Sequence, residues 1–220
     1  MVNLRGFQAQ MLYRSSAALS FIRGRERLTM QTNTSPNALE LIKAMSGKWL
    51  CGHCSKVHEG ASELMFLAPD FWPGSDVYEP NSALRMNGNF LSEDCCVFEG
   101  RAFFIRCVAP FDIQGLGLYY GLGVWCNVHQ REFETYLQRF DTGVFPDGEN
   151  WPARLTNRIE TFGETQNARC RVLPRSGRQR PYCILAEEGH DFTLTQAEGI
   201  SPEHFLGLLK AYGCHPVSAA

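Results

Sequence analysis

The stretch Cys95-Cys96-Val97-Phe98-Glu99-Gly100-Arg101-Ala102-Phe103-Phe104-Ile105-Arg106-Cys107-Val108-Ala109 decides the fold. Two apolar runs rich in aromatic and β-branched residues flank Glu99-Gly100-Arg101, where the glycine permits the positive φ that a tight hairpin turn needs. Strands over 95–98 and 102–109 are therefore expected to pair antiparallel. Downstream, Leu118 to Val128 is a second apolar run, and Arg169–Leu173 and Pro181–Ala186 read as paired strands around an arginine-rich turn. Glu63 to Ala68 is expected as a further strand, residues 69–90 as loop, and residues 141–168 as irregular.

Helices bracket this strand-rich middle. Ser35-Pro36 is a cap followed by a first-turn proline, Leu39, Leu41, Ile42 and Met45 supply an apolar side, and Gly47 closes the segment. In 129–140, Phe133, Tyr136, Leu137 and Phe140 recur at i, i+3, i+4 and i+7, one face of a helix. Ser201-Pro202 repeats the cap, ahead of Phe205, Leu206, Leu208, Leu209 and Tyr212, with Gly213 at the end. Strands together with helices outside them imply an α+β fold with a mostly antiparallel sheet and flanking helices.

The chain has 220 residues, 44% hydrophobic and 20% charged, which excludes a disordered or collagen-like polymer. No stretch approaches the roughly 20 apolar residues of a membrane helix, so no membrane association is expected. The first 29 residues hold five arginines against Glu26, a charge of +4; the whole chain carries −2, so the remainder carries −6. An acidic body gives no basic surface for phosphate contacts, and no nucleic-acid partner is expected. Leu4, Phe7, Met11, Ala18 and Ile22 at helical spacing make 1–29 a disordered or targeting-like leader. The expected organisation is that leader, a short helix and linker over 30–48, a single α+β domain over 49–215, and a tail over 216–220.

Nine cysteines, an odd number in a long chain, read as reduced thiols and not as a disulfide framework. The expected location is therefore cytoplasmic, or organellar if 1–29 is a transit peptide. Cys107, Cys126 and Cys183 lie inside apolar runs and read as small buried hydrophobes. Cys51-Gly52-His53-Cys54 differs: two thiols three positions apart can turn onto one cation, and His58 follows at a ligand spacing. Zn²⁺ takes four such ligands, so a fourth comes from elsewhere, with Cys96, His190, Cys214 and His215 as candidates. A redox pair is the competing reading of the C-x-x-C, but no βαβ pattern surrounds it.

From about Trp49 to His215 the chain resembles the bacterial family called domain of unknown function 2199. The resemblance rests on the Cys51…Cys54…His58 opening, Ala68-Pro69-Asp70-Phe71-Trp72, Asp94-Cys95-Cys96-Val97 leading to Phe103-Phe104-Ile105-Arg106, Gly123-Val124-Trp125, Arg180-Pro181, His190, Gln196 and Gly199-Ile200. Ser55 stands where the family has glycine, a residue suited to a left-handed turn. The resemblance implies that Cys96 is the matching motif cysteine, which makes Cys51, Cys54, His58 and Cys96 the expected ligands of one structural Zn²⁺. It supplies no reaction.

Two function classes follow. The first is a zinc-stabilised binding or regulatory protein, immunity-like, with a protein partner. The second is an enzyme of unknown substrate using His190, with Asp94 as orienting carboxylate and Arg106 beside a pocket. The acidic flank Glu187-Glu188-Gly189-His190-Asp191 suits a proton-carrying imidazole, although a loop histidine capping the next turn has the same setting. Arg169, Arg171, Arg175, Arg178 and Arg180 read as a solvated hairpin face. Gly115-Leu116-Gly117 and Gly121-Leu122-Gly123 lack the remainder of a phosphate-binding loop.

Overall fold

A computed structural model describes residues 36–60, 64–74 and 77–219. The leader expected over 1–29, the capping Ser35 and Glu63 lie outside the described residues. In chain order the elements are α1 (Pro36–Ala44), β1 (Lys48–Cys51), β2 (Val57–Glu59), β3 (Phe90–Leu91), β4 (Cys95–Phe98), β5 (Ala102–Ile113), β6 (Leu118–Val128) and α2 (Gln130–Phe140). They continue with β7 (Trp151–Leu155), β8 (Arg169–Arg175), β9 (Gln179–Leu185), α3 (Asp191–Glu198), α4 (Pro202–Ala211) and β10 (Pro216–Ala219). The fold is α+β, and all but a few of its strand pairings are antiparallel.

The decisive hairpin is present. β4 and β5 pair from Cys95↔Ile105 to Phe98↔Ala102, and Glu99 and Gly100 both take positive φ, 53° and 64°. A side chain on Gly100 would meet the Met86 carbonyl oxygen at 3.1 Å and the Asn87 Cα at 3.2 Å, so the glycine serves close approach as well as the turn. The strands form a seven-stranded sheet in the order β3 to β9 and a three-stranded sheet in the order β10–β1–β2. A parallel bridge, Val108↔Tyr182, joins β9 back to β5, so β5, β6, β7, β8 and β9 close into a small barrel. The closure is that one bridge, and the interior of a barrel this small is filled by side chains.

Three expectations are corrected. Glu63–Ala68 is not a strand; among its described residues only Met65 bridges, to Gly123, flanked by one hydrogen bond from Phe66 and one to Leu64. Residues 141–168 are not wholly irregular, because β7 lies among them. Pro152 there disguises a strand, yet it sits outside Ala153–Leu155, the stretch that pairs with β6, so its missing N–H breaks no ladder on that side. Residues 216–219 are a strand and not a tail, with Trp49↔Ala219 and Leu50↔Ser218 in register. Contacts among the described residues gather into two compact units, one from 36–60, 111–121 and 194–219, the other from 64–74, 77–110 and 122–193.

In the first unit, Ala38 and Ile42 on α1 and Met45 just past its end are buried, and Phe111, Tyr120 and Phe205 meet with ring centroids 4.8 to 6.3 Å apart. Ser201 caps α4 by accepting from the His204 N–H at 3.2 Å. In the second unit, Phe133 and Tyr136 are the buried side of α2, and Phe133 lies against Phe103. Leu91, Cys96, Phe104 and Trp125 form a separate apolar cluster, covered by Phe66, Trp72 and Tyr78 among others.

Candidate metal centre

The C-x-x-C motif lies on the turn between β1 and β2. Cys51 ends β1, its N–H donates to the Lys56 carbonyl at 2.9 Å, and the Ser55 N–H returns to the Cys51 carbonyl at 3.0 Å. Ser55 has φ 55°, so it adopts the left-handed conformation for which the family's glycine is suited. β2 then carries His58 back opposite Trp49, whose ring stacks on the imidazole at 4.9 Å. The sulfurs of Cys51 and Cys54 and a ring nitrogen of His58 all lie within 4.8 Å of one another, with Cys54 Sγ 3.1 Å from His58 Nε2.

The segment after α4 closes over this turn. Gly213, at φ 78°, ends the helix, and the Cys214 N–H donates to the Leu209 carbonyl at 3.0 Å. The His215 carbonyl accepts from the Gly52 N–H at 2.9 Å. The fit is tight: a side chain on Gly52 would stand 2.5 Å from His215 Nε2 and 2.6 Å from Val217 Cγ1. Cys214 Sγ thereby comes to 4.0 Å from Cys51 Sγ. Two sulfurs on one tetrahedral zinc lie about 3.8 Å apart for bonds of about 2.3 Å.

The electrostatics suit a thiolate. Burial alone would push the Cys51 thiol up, but N–H groups of Cys54, His53 and His215 converge on it and hold it down at about 6. His215 is pushed below the ordinary histidine value by burial and by the charges of Lys210 and His53, which favours the neutral imidazole.

Cys96 does not belong to this group. It is wholly buried with Leu91, Phe104 and Trp125, and burial raises its thiol to about 12. Its partners in the sheet are Phe104 and Leu91, and among the described residues its sulfur belongs to neither group of converging ligand atoms. The thiol beside Cys51 is that of Cys214, and the sequence marks it only through the Gly-Cys-His that follows a helix end.

The remaining candidates are held by packing contacts. Arg106, 1% exposed, donates to the carbonyls of Phe66 and Leu67 and to the Tyr78 hydroxyl, and its guanidinium lies over Trp125 at 5.0 Å. Asp94 pairs with Arg180 at 3.0 Å and accepts from Asn81 at 3.2 Å. The His190 ring accepts from the Phe192 N–H at 3.0 Å, capping α3, and its Nε2 lies 3.2 Å from the Glu164 carbonyl. None of His190's hydrogen bonds runs to Asp94 or Arg106. Gly123 faces Met65, whose Cβ would be 2.7 Å from an added side chain, and Gly199 likewise approaches the Asp112 carbonyl at 2.9 Å.

A buried polar network escaped the sequence reading. Asn157, wholly buried, accepts from the Trp125 N–H at 2.7 Å and donates to the Ala68 carbonyl and to Asp70. Asp70 in turn accepts from the Arg158 N–H at 2.6 Å, which pins the Ala68–Trp72 segment.

A second sulfur group lies in the barrel. The Sγ atoms of Cys126, Cys170 and Cys183 are within 4.8 Å of one another, on β6, β8 and β9. All three side chains are buried, and no disulfide joins any of the nine cysteines. Hydrogen bonds from Cys126 and Cys183 draw the Cys170 thiol down, while burial pushes Cys126 up.

Fold and geometry together define an α+β protein with a cysteine–histidine centre on a strand turn. The chain belongs to the family described as an uncharacterized protein conserved in bacteria, domain of unknown function 2199, whose profile matches residues 50–200. No curated protein and no solved structure matches.

Proposed function

We propose that this chain is a binding or regulatory protein whose N-terminal turn and C-terminal segment are clipped together by one structural Zn²⁺, held by Cys51, Cys54, His58 and Cys214. The observation that carries the reading is an approach between residues 163 positions apart: Cys214 Sγ stands 4.0 Å from Cys51 Sγ, which is itself within 4.8 Å of Cys54 Sγ and a His58 ring nitrogen, and Cys214, outside that group of three, turns inward to complete the shell. Four protein ligands leave no open position, as in structural and not catalytic zinc sites. Three thiolates and a neutral imidazole leave a net −1 on the zinc centre, moderate for a half-exposed turn.

The packing roles of Arg106, Asp94 and His190 favour binding over catalysis, since each is spent on a carbonyl, an ion pair or a helix cap. Among the described residues, four of the exposed large hydrophobics fall close together in sequence: Met65, Leu67, Phe71 and Val77. Apolar side chains left in water along one segment suit a protein partner. No helix among the described residues is long and apolar enough to cross a membrane. Nine cysteines without a disulfide fit a reducing compartment such as the cytoplasm. Elemental analysis of the purified full chain tests the metal: one zinc per chain is expected, lost in Cys54→Ser and in Cys214→Ser. A chain with no zinc, or with full zinc in both variants, defeats the reading.

A further inference from the structure

We propose that the barrel thiols of Cys126, Cys170 and Cys183 form a second metal site, selective for a soft closed-shell ion held by sulfur alone, Cu(I). Cys126 and Cys170 sulfurs stand 4.0 Å apart, and all three lie within 4.8 Å of one another. A metal centred among three sulfurs at about 2.3 Å places them about 4.0 Å apart, so little movement is needed.

The chemistry of the donor set selects the ion. Thiolates prefer Cu(I), zinc and iron–sulfur clusters, whereas zinc in proteins is almost always four-coordinate. The barrel group offers three converging sulfurs, with neither imidazole nor carboxylate among them. A fourth thiol, Cys107, touches Cys126 and also donates to the Ile105 carbonyl at 3.5 Å, but its sulfur lies outside the group of three that are all within 4.8 Å of one another. The surroundings are apolar: Leu155, Val172 and Leu185 are buried neighbours along the same strands. A monovalent ion that accepts three sulfur ligands fits such a place.

The geometry also explains why three strands deliver one sulfur each. Cys170 lies opposite Leu185 and Ala153, Cys126 opposite Leu155, and Cys183 opposite Val172. Cys170 and Cys183 are therefore diagonal neighbours on the β8–β9 ladder, and Cys126 reaches them from β6, across β7. Burial inside a closed barrel implies that the ion enters as the strands close, during folding. The inference is independent of the zinc reading, because the two groups share no residue.

The test is the full chain produced with copper in the medium, and separately refolded with Cu(I), both under reducing, oxygen-free conditions and washed with a Cu(I) chelator. The expected result is one Cu(I) per chain that resists the chelator, with the red emission of solvent-shielded Cu(I) thiolate. X-ray absorption at the copper edge is expected to show three sulfur neighbours and no nitrogen. Cys170→Ala should lose the ion, and Cys54→Ser should keep it. No retained copper in either preparation overturns the proposal. So does a nitrogen in the copper shell, or loss in Cys54→Ser, since either puts the ion at His58. Should Cys170→Ala fail to fold, the absorption spectrum of the unaltered chain decides alone.

Discussion

Cys51, Cys54, His58 and Cys214 sit on a turn and just past a helix end, while Cys126, Cys170 and Cys183 sit inside strands of a closed barrel. The first group has few apolar neighbours: Cys54 is exposed and the turn around it consists of Gly52, His53 and Ser55. The second is surrounded by Leu155, Val172 and Leu185, each buried. The contrast teaches what sulfur contributes in each place. In the barrel the thiols also fill space as small apolar groups, so the strands stay together without any ion. On the turn there is little apolar area to bury, and the order of the segment depends on what joins the ligands.

The strongest way to break this contrast is to remove metal. Chelation at neutral pH should lower the melting temperature and expose 48–59 and 214–219 to amide exchange, while the barrel strands stay protected. Structural zinc contributes on the order of 10 kcal/mol in small zinc domains, and a chain with its own cores should show a smaller loss. Uniform deprotection, or none, would remove the distinction between the two regions.

Substitution of Arg106 sharpens the other side. Arg106→Leu removes the buried guanidinium that donates to the Phe66 and Leu67 carbonyls and to the Tyr78 hydroxyl, and the Leu67 carbonyl keeps only its bond from that hydroxyl. A loss of about 3 kcal/mol is expected in denaturant melts, with zinc content unchanged. A chain that released its zinc along with that stability would show the two regions to be one cooperative structure.

Gly52→Ala probes the closure over the turn. Its Cβ would fall 2.5 Å from His215 Nε2 and 2.6 Å from Val217 Cγ1, so the C-terminal segment must shift. A cost of about 2 kcal/mol and weakened zinc retention are expected, read by competition with a zinc-sensitive dye. Retention equal to the unaltered chain would argue that Cys214 is not a ligand.

The smallest effects separate a cap from a catalyst. His190→Ala removes the acceptor of the Phe192 N–H and should cost about 1 kcal/mol. Ser55→Gly relieves a left-handed non-glycine residue at φ 55° and should stabilise by up to about 1 kcal/mol. Both are read from thermal melts. Opposite signs are expected, and a stabilising His190→Ala would point to a residue held under strain for a function.

Legibility in the sequence followed local physics. The β4–β5 hairpin was readable because its turn residues and apolar runs agree within fifteen positions. α2 was readable because its period is unbroken. β7 was hidden by Pro152, and α3 by its pattern: Phe192, Thr195 and Gln196 are buried there while Leu194 is exposed, so apolarity does not mark the inner side. Three members of the turn centre were legible because they lie within eight positions of one another. The fourth was only one of four candidates, since Cys214 arrives through the β10–β1 pairing, a contact between distant parts of the chain that no local spacing encodes. The resemblance pointed to Cys96, which the β4 register turns into the apolar cluster.

X-ray absorption at the zinc edge of the purified full chain measures the centre itself. Three sulfurs and one nitrogen around a single zinc, falling to two sulfurs in Cys214→Ala, is the predicted result. A shell dominated by oxygen, or an unchanged three-sulfur shell in Cys214→Ala, would contradict it.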